Sequence, residues 1–390
     1  MSTVNTPFES DGIFPDQWLR EAVARGFIDS GELKIPESNF QPASLDLRLG
    51  PKAYRLRCSF VSDSKTVEEK LDDFVMGEID LRDGAILERN RPYLIPLIEQ
   101  LRLPPNVYAK TNPRSSTGRL DIFTRVISDR STRFDEIAPG YHGKLYLEVA
   151  SRSFTIHVKE RLSLNQLRLI TGNYRTSENS ARYFHQHTPI IFLGGEPADA
   201  SYLDGDNGVF LSIDLAGDEN RVVGYKAKKN SYLLDLCTIG EHNVEDFWDP
   251  VYPEKKNRLV LEPEEFYLLL SAETVRIPPS FAAEMNAYEP TSGELRTHYA
   301  GFFDPGFGYD NQGLLLGSKA VLEVRAHDVP FMIENGQKVC QLEFQTMAEA
   351  PKVLYGADVG SSYQNQELTL SKHFRRPEPQ TPVQFLLDLR

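Results

Sequence analysis

The residues with the clearest chemical character form a short run in the first half of the chain. This run, Pro113-Arg114-Ser115-Ser116-Thr117-Gly118-Arg119, places two serine hydroxyls and a glycine between two guanidinium groups. Arginine binds oxyanions through paired, charge-assisted hydrogen bonds, and serine hydroxyls add donors beside it. The pattern is therefore typical of a site for a phosphate or another oxyanion. Taken alone, it fits a solvated turn equally well.

A second run of this kind lies in the other half of the chain. The segment AGFFDPGF covers residues 300–307, and its Pro-Gly turn would place the Asp304 carboxylate beside the Phe307 ring. Glu323 follows within the alternating run VLEV. A glutamate that points into a cavity has a raised pKa and can move protons. The alternative for a lone strand glutamate is an outward, solvated side chain.

The two runs belong to two copies of one module. Four groups of residues in the first half recur 174 residues later, without a gap: Leu87-Glu88, Tyr93-Leu94, Glu99 and Pro104-Pro105 recur as Leu261-Glu262, Tyr267-Leu268, Glu273 and Pro278-Pro279. Three more matches flank them: Ser44-Leu45-Asp46-Leu47 with Ser212-Ile213-Asp214-Leu215, Leu147-Glu148-Val149 with Leu322-Glu323-Val324, and Gln166-Leu167 with Gln341-Leu342. Spacing that holds over so many positions indicates an internal duplication of a whole domain.

The elements that must carry these residues are mostly strands. Short alternating runs such as SLDLRL, KLYLEVA and AVLEVRA are separated by turn residues, and the chain holds 25 prolines and 26 glycines. We expect a mainly β protein with two tandem antiparallel β-barrel, jelly-roll-like modules and few short helices. The expected boundaries are a first module at 1–170, a linker at 171–207, a second module at 208–350 and a mobile C-terminal tail at 351–390.

Composition excludes several classes of protein. The 43 basic and 56 acidic residues give a formal charge of −13, which argues against a nucleic-acid carrier. Neither the N-terminus nor any apolar stretch suggests a secretory signal or a membrane span. Cys58, Cys237 and Cys340 lack the spacing of a metal site, so we expect reduced thiols in a cytoplasmic protein.

Together these motifs resemble the dCTP deaminase branch of the trimeric dUTPase superfamily. QPASLDLRLG (41–50) is similar to its N-terminal signature, PRSSTGR to its phosphate and catalytic loop, and AGFFDPGF to its sugar-binding turn. Glu323 falls at the position of the catalytic glutamate, and YGADVGSSYQNQ (355–366) is similar to the C-terminal lid. The resemblance covers nearly the whole chain and implies two dUTPase-like modules.

The resemblance implies hydrolytic deamination of dCTP to dUTP and ammonia without zinc. The chain contains neither the HxE nor the PCxxC motif of zinc deaminases. By position, the catalytic groups would be Glu323, Ser115, Arg119 and the carbonyl of Ala300. Mg²⁺ would be bound through the substrate triphosphate.

The resemblance also implies a set of substrate contacts. Asp304 would accept a hydrogen bond from the 3′-hydroxyl, and Phe307 would pack under the sugar and exclude a 2′-hydroxyl. Arg114 and Ser116 would contact phosphates. Further substrate contacts are expected from the turn, from the strand after the glutamate and from the lid: Gly306, Gln341, Tyr355, Tyr363 and Gln366.

Each copy departs from the family pattern in a different place. Ala138 occupies the position of the sugar aspartate in the first copy, and the second copy reads AYEPTSG (287–293) where the serine and arginine loop belongs. In the family one site combines elements of neighbouring subunits, so the first copy's loop would complete the second copy's site, within or between chains. Ser362 replaces a lid lysine of the family, and Lys372 is a candidate substitute.

Three functions remain open at this point. The first is a dCTP deaminase, in a homotrimer or another threefold assembly. The second is a dUTP diphosphatase or a bifunctional enzyme on the same fold, although the Gln/Asn/Ser-rich tail favours the deaminase. The third is a non-catalytic nucleotide sensor, against which the joint presence of Ser115, Arg119, Asp304 and Glu323 argues.

Overall fold

The computed structural model describes most of the chain, and structural statements below refer to that part. The described residues are 8–176, 178–199, 202–204, 208–216, 221–287, 295–297, 301–309, 317–326, 328–356 and 370–376. Within them the protein is mainly β, as the sequence predicts.

The first copy consists of short strands and three short helices. Its strands are β1 (Gly12–Ile13), β2 (Ile28–Asp29), β3 (Leu45–Arg48), β4 (Lys52–Leu56), β5 (Val75–Asp80), β6 (Ala85–Leu87), β7 (Tyr93–Arg102), β8 (Val107–Pro113), β9 (Ile122–Ser128), β10 (Glu136–Ile137), β11 (His142–Ser151), β12 (Ile156–Val158) and β13 (Ser163–Thr171). Its helices are α1 (Asp16–Ala24), α2 (Val67–Leu71) and α3 (Ser115–Gly118), with a 3-10 turn at Glu37–Asn39.

The second copy begins with a helix and continues as strands. The helix is α4 (Glu178–His187), and a 3-10 turn lies at Val244–Asp246. The strands are β14 (Ile191–Leu193), β15 (Glu196–Pro197), β16 (Leu203–Asp204), β17 (Gly208–Ser212), β18 (Gly224–Ala227), β19 (Leu234–Asp235), β20 (Trp248–Val251), β21 (Arg258–Leu261), β22 (Phe266–Val275), β23 (Phe281–Ala287), β24 (Leu295–Thr297), β25 (Phe302–Phe303), β26 (Ser318–Ala326), β27 (Phe331–Glu334) and β28 (Lys338–Thr346).

Each copy packs two antiparallel sheets on each other. In the first copy, β1-β13-β8-β10 with β3 forms one sheet, and β5-β4-β7-β11-β9 with β2 forms the other. In the second copy, β16-β17-β28-β23-β25 faces a sheet built around β14, β22, β18 and β26. Alternating residues of these strands point into a core between the sheets, which is the arrangement that period-two patterning favours.

The strand registers confirm the duplication. Glu148 lies opposite Leu94 on β7, and Glu323 lies opposite Leu268 on β22. The turn strands agree as well, since Ile137 pairs with Ala109 as Phe303 pairs with Ala283. Ala138 of the first copy is therefore the structural counterpart of Asp304.

One match inferred from the sequence is wrong. The registers on β13 and β28 make Phe210 the counterpart of Asp46, because these residues pair with Gln166 and Gln341, respectively. Ser212 is consequently the counterpart of Arg48 and not of Ser44. Both residues donate their backbone N–H to a buried glutamate at 2.8 Å, Glu99 in one copy and Glu273 in the other. The shared Ser-x-Asp-Leu pattern is thus shifted by four residues from the structural match.

The two copies share one apolar core. The larger buried cluster contains first-copy residues such as Leu147 and Phe154 together with Trp248, Phe266 and Leu268 of the second copy. In addition, β12 pairs in parallel with β19, which joins the copies through backbone hydrogen bonds. We call the shared core together with the β12–β19 pairing the joint between the copies. Burial of its apolar residues fixes the position of one module on the other.

Two expected boundaries differ from the structure. The segment 171–207 is no simple linker, because β14 extends the second module's sheet by pairing with β22. The described part of the tail is packed on the protein, because Leu370 and Phe374 are buried in the shared core. Among the described residues, no helix combines the length and apolar character needed to cross a membrane.

Candidate active site

A cleft of about 640 Å³, including the solvent at its mouth, lies where the two copies meet. Its wall combines apolar and aromatic side chains with a few charged groups, as small-molecule sites do. The described wall is lined by Pro113, Arg114, Ser115, Gly118, Arg119, Met285, Gly301, Phe302, Phe303, Asp304, Phe307, Ala320, Val321, Glu323 and Tyr355. The loop of the first copy and the turn and glutamate strand of the second therefore meet within one chain.

The first copy's loop is held by helix α3. Backbone N–H groups of Thr117 and Gly118 donate to the Arg114 carbonyl at 2.8 and 3.0 Å, which closes the helical turn. This turn places Arg114 and Ser115 at one end and Arg119 at the other. The Arg114 guanidinium pairs with Asp46 Oδ2 at 3.1 Å, so strand β3 sets its direction.

Glu323 of β26 reaches across the joint to the backbone of this loop. A Cβ added at Gly118 would lie 2.6 Å from Glu323 Oε2 and 2.7 Å from Oε1. Only glycine allows a carboxylate this close, which explains the glycine in PRSSTGR. Glu323 Oε2 is buried and has no hydrogen-bond partner among the described residues. Such an acceptor is available to a substrate or a water molecule.

The surroundings of Glu323 favour its neutral form. Burial raises the pKa of Glu323 well above the ordinary value of 4.5, while the nearby Arg119 charge lowers it and the Asp121 charge raises it. Asp121 lies behind the loop, where it forms an ion pair with Arg325 and accepts a hydrogen bond from Ser153 Oγ at 2.6 Å. A carboxyl group with a raised pKa can both accept and return a proton near neutral pH.

The turn after β25 presents Asp304 and Phe307 to the cleft. The Phe307 N–H donates to the Asp304 carbonyl at 3.1 Å, and the two side chains lie on the same cleft wall. The buried Asp304 carboxylate pairs with Arg168 at 3.0 Å. Phe307 packs edge-on against Phe303, with ring centroids 5.0 Å apart.

Gly306 is not among the residues that line the cleft. Its φ is +98°, and an added Cβ would lie 2.7 Å from the Tyr355 nitrogen. Glycine is therefore required for the turn to pack against the chain at Tyr355, whose N–H donates to the Pro305 carbonyl at 2.8 Å. The Tyr355 ring then lies 5.7 Å from that of Phe307, at the cleft.

Residues of the tail return to the first copy's loop. Ser371 Oγ donates to the Ser116 carbonyl at 2.8 Å. Burial and the neighbouring Arg114 charge lower the pKa of Lys372 to about 8, and Asp46 acts in the opposite direction. Arg114 lines the cleft, and Lys372 lies close enough to feel its charge without being part of the described cleft wall; we call these two residues the cationic end.

Several expected contacts lie elsewhere. Ser116 is buried and does not line the described cleft wall. Its backbone carbonyl accepts a hydrogen bond from Ser371 of the tail. Gln341 lies on β28 beside Gly208 and is also absent from the cleft wall. Ala300, Tyr363 and Gln366 lie outside the described residues.

The first copy's glutamate has a different environment. Glu148 forms an ion pair with Arg125, whose guanidinium lies 4.1 Å from the Phe134 ring centroid and donates to Ser59 Oγ at 3.1 Å. The neighbouring segment contributes further aromatic cover, since Phe134 packs on the cluster that contains Phe60. Glu148 therefore has an ion-pair partner and does not line the cleft, although its Oε2, like that of Glu323, has no hydrogen-bond partner among the described residues.

Sequence reasoning missed three residues that build the site. Asp46 was recognised only as part of a signature, Gly118 only as a loop glycine, and Arg168 not at all. The signature SLDLRL carried a signal for Asp46, because an acidic residue within a buried strand needs a partner. Nothing local to Arg168 indicates the described hydrogen bonds of its side chain, which go to the other copy.

The described cleft wall contains no histidine and no cysteine. Elsewhere in the described chain, His157, Asp235 and Cys237 bring one possible metal ligand each to within 4.8 Å of one another. None of the three lines the cleft. Their position is on and beside the β12–β19 joint.

Comparison with known proteins agrees with this geometry. The family model of the 2′-deoxycytidine 5′-triphosphate deaminase N-terminal domain matches residues 10–173, and that of the C-terminal domain matches residues 177–374. A "dCTP deaminase" of Natronomonas pharaonis is 30% identical over 140 residues, which are 34% of this chain and 69% of the relative. A "dCTP deaminase, dUMP-forming" of Methanothermobacter thermautotrophicus is 29% identical over 145 residues, covering 36% and 68%, respectively.

A solved structure extends the similarity to both copies. The crystal structure of 2′-deoxycytidine 5′-triphosphate deaminase from Agrobacterium tumefaciens is 42% identical in sequence, with a TM-score of 0.80. The match covers 88% of this chain and all of that one. The similarity in sequence and fold, with both domains matched in order, shows that this chain belongs to the dCTP deaminase family.

Proposed function

We propose that this protein hydrolyses dCTP to dUTP and ammonia, a step that supplies the precursor of dTTP. The observation that carries the proposal is the single cleft that joins Arg119 of the first copy to Glu323 of the second. Family membership supplies the substrate class, and the cleft supplies groups suited to the reaction.

Glu323 is the proposed proton shuttle. In its ionised form it takes a proton from water as the water oxygen bonds to C4 of cytosine, and it passes that proton to N3. It then transfers the proton of the new C4 hydroxyl to the amino group, so that the C4=O bond forms as the C4–N bond breaks and ammonia leaves. The raised pKa and the unpartnered Oε2 of Glu323 support this role.

Ser115 and Arg119 are proposed to assist at the same centre, together with the carbonyl of Ala300. Arg119 stabilises negative charge that develops on the base. Its position beside Glu323 also favours the ionised carboxylate that must receive the first proton. Both side chains line the cleft, in agreement with direct contact with the substrate.

Deoxyribose recognition is assigned to the turn. Asp304 accepts a hydrogen bond from the 3′-hydroxyl, and the Phe307 ring leaves a 2′-hydroxyl without a partner. An unpaired buried hydroxyl costs about 1–3 kcal/mol, which disfavours ribonucleotides. Tyr355 closes the same side of the cleft.

Phosphates are assigned to the cationic end. Arg114 and the half-buried Lys372 carry positive charge there, so Lys372 replaces the lid lysine absent at Ser362. The described carboxylates of the cleft wall are Asp304 and Glu323, both assigned to other tasks, so no protein cage for Mg²⁺ is formed by these residues. Mg²⁺ is accordingly proposed to bind the triphosphate oxygens and to reduce their negative charge.

We propose that the deamination is independent of zinc. A zinc deaminase holds its metal with histidine and cysteine ligands beside the base. The described cleft wall offers neither, and the His157 group lies outside it. The side chains of the cleft are then the source of water activation.

A second candidate is a bifunctional enzyme that continues from dUTP to dUMP. A relative described as dUMP-forming favours it. Asp46 is a candidate base that would take a proton from the water attacking a phosphate. It pairs with Arg114 of the cationic end, and its Oδ1 has no hydrogen-bond partner among the described residues. Burial raises the pKa of Asp46 to about 6, with Arg114 acting against this rise.

The test is to incubate the purified protein with dCTP and Mg²⁺ and to resolve dUTP, dUMP and ammonia. Equal amounts of ammonia and dUTP support the deaminase, and absence of ammonia refutes it. If dUMP accumulates, the bifunctional candidate holds, and Asp46→Asn should then stop the reaction at dUTP.

Assembly and location are further proposals. A threefold assembly, such as a homotrimer, is supported by the family resemblance alone. A cytoplasmic location is supported by the three free thiols, of which Cys58 and Cys237 are exposed. The net charge of −13 supports nucleotides, and not nucleic acids or membranes, as partners.

A further inference from the structure

Arg168 is a fully buried cation that belongs to one copy and serves the other. It lies on β13 of the first copy with 1% of its surface exposed. All of the described hydrogen bonds of its guanidinium go to second-copy residues. Burying a guanidinium is costly unless its charge is paired. Here Nη1 and Nη2 are hydrogen-bonded, whereas Nε has no partner among the described residues.

The guanidinium links the sugar turn to the sheet beside it. Nη1 donates to the Ala283 carbonyl of β23 at 3.1 Å and to Gln345 Oε1 of β28 at 3.0 Å. Nη2 donates to the Phe303 carbonyl and to Asp304 Oδ1, each at 3.0 Å. One rigid fork therefore spans two strands and the turn.

The stacking of Arg168 adds a further constraint on the turn. Its guanidinium carbon lies 3.9 Å from the centroid of the Phe302 ring, two residues before Asp304. Backbone, side chain and ring of residues 302–304 are thus all held by a single side chain. Rotation of the Asp304 carboxylate would break its hydrogen bond from Nη2.

Arg168 also opposes the effect of burial on the pKa of Asp304, which remains raised above its ordinary value. Burial raises the pKa of Asp304, whereas the Arg168 charge and hydrogen bonds from Arg168 and Ser44 lower it. An ionised carboxylate only accepts hydrogen bonds, whereas a protonated one also donates. Without Arg168, burial would favour the protonated form, which is less suited to accept from a sugar hydroxyl.

The duplication provides independent support. The counterpart of Arg168 in the second copy is Glu343, because the preceding Gln166-Leu167 matches Gln341-Leu342. The counterpart of Asp304 in the first copy is Ala138, as the strand registers show. The alternative site would have to pair Glu343 with Ala138, and it lacks both the cation and the carboxylate. Arg168 and Asp304 are thus both present at the described site, and both are replaced at the alternative site.

We infer that Arg168 is a positioning residue that holds the Asp304 carboxylate in place as the acceptor for the 3′-hydroxyl and thereby sets the preference for substrates that carry this hydroxyl. The inference rests on the proposed sugar-binding function of Asp304. It assigns part of the substrate specificity to the first copy, although the carboxylate that contacts the substrate belongs to the second.

The experiment compares kcat/KM for dCTP with kcat/KM for 2′,3′-dideoxycytidine 5′-triphosphate. The ratio reports on the 3′-hydroxyl contact and is independent of the fraction of folded protein. It is measured for the unmodified protein, Arg168→Gln, Arg168→Met, Arg168→Lys and Asp304→Asn. Arg48→Gln is the matched control, because Arg48 is also a buried strand arginine, paired with Glu99 at 2.6 Å, and it does not line the cleft.

The unmodified protein and Arg48→Gln are expected to prefer dCTP by about 10²-fold or more, since a site built to bind a hydroxyl rejects an analogue without it. Asp304→Asn and both Arg168 variants should reduce this preference to about tenfold or less. Arg168→Lys, which retains the charge, should restore part of it.

The outcomes separate the two claims. If Asp304→Asn loses the preference while a folded Arg168 variant keeps all of it, the inference about Arg168 is overturned and the sugar contact stands. If the unmodified protein shows no preference, or Asp304→Asn keeps it, the proposed sugar contact fails and the inference fails with it.

Discussion

The close contact between Gly118 of the first copy and Glu323 of the second allows the effect of a Gly118→Ala substitution on the catalytic rate to be predicted. In Gly118→Ala the new Cβ would lie 2.6 and 2.7 Å from the two carboxylate oxygens of Glu323. Ordinary contacts of a Cβ begin at 3.4 Å, so the carboxylate must retreat by about 0.7–0.8 Å. A misplacement of this size costs roughly 10²-fold in rate.

Stability should change much less than activity. The atoms that must move are the end of a flexible side chain, and alanine is favoured over glycine in a helix by roughly 0.5–1 kcal/mol. We therefore expect kcat for dCTP to fall about 10²-fold, equivalent to about 2.7 kcal/mol of activation free energy, with Tm nearly unchanged. Steady-state kinetics of ammonia release and thermal unfolding provide the two measurements.

Gly77→Ala is the matched control. Gly77 lies in β5, and no atom lies within 4 Å of the position of an added Cβ. This variant should retain full activity. If Gly118→Ala keeps kcat within about threefold of the unmodified protein, Glu323 does not need its position against the loop and the reasoning fails.

Three further predictions concern pH, metal and assembly. Burial raises the pKa of Glu323, and the ionised form must take the first proton, so kcat/KM should fall as the pH decreases through a pKa above 4.5. In Arg119→Lys or Arg119→Gln the pKa of this acidic limb of the pH profile should rise or stay unchanged. A lower pKa would contradict the assigned electrostatics. Removal of zinc should leave deamination intact, and so should Cys237→Ser, which removes one residue of the possible metal-ligand group. Stoichiometric zinc whose removal abolishes activity would refute zinc independence. Light scattering should give a mass of three chains or another threefold multiple, and a fully active monomer would contradict this.

Much of the fold could be predicted because it is encoded locally and twice. Period-two alternation indicates the strands, and the constant offset of 174 residues indicates equivalent positions in the two copies. The Ser212 match failed because four-residue similarity carries no information about pairing, which the β17–β28 register decides. The tail's packing was missed because polar composition hides the few apolar residues, Leu370 and Phe374, that enter the core.

The site could be predicted in part for a related reason. Arg119, Asp304 and Glu323 stand in motifs whose residue types reveal chemistry, and they line one cleft. Arg168 stands in an ordinary strand, and its contacts depend on how the copies dock. The shared apolar core, and not any local pattern, sets how the two copies pack on each other. The sequence therefore leaves open whether the loop completes the site within one chain or between chains.

The most direct test of the account compares Glu323→Gln with Glu148→Gln. Glu323 lines the cleft, whereas Glu148 is buried away from it and pairs with Arg125, whose guanidinium lies over the Phe134 ring. Both substitutions keep the shape of the side chain and remove its ability to carry a proton. The measurement is kcat for dCTP deamination by each folded variant. The account predicts a loss of about 10²–10⁴-fold or more for Glu323→Gln and retention of most activity for Glu148→Gln. An inactive Glu148→Gln beside an active Glu323→Gln would contradict the composite site.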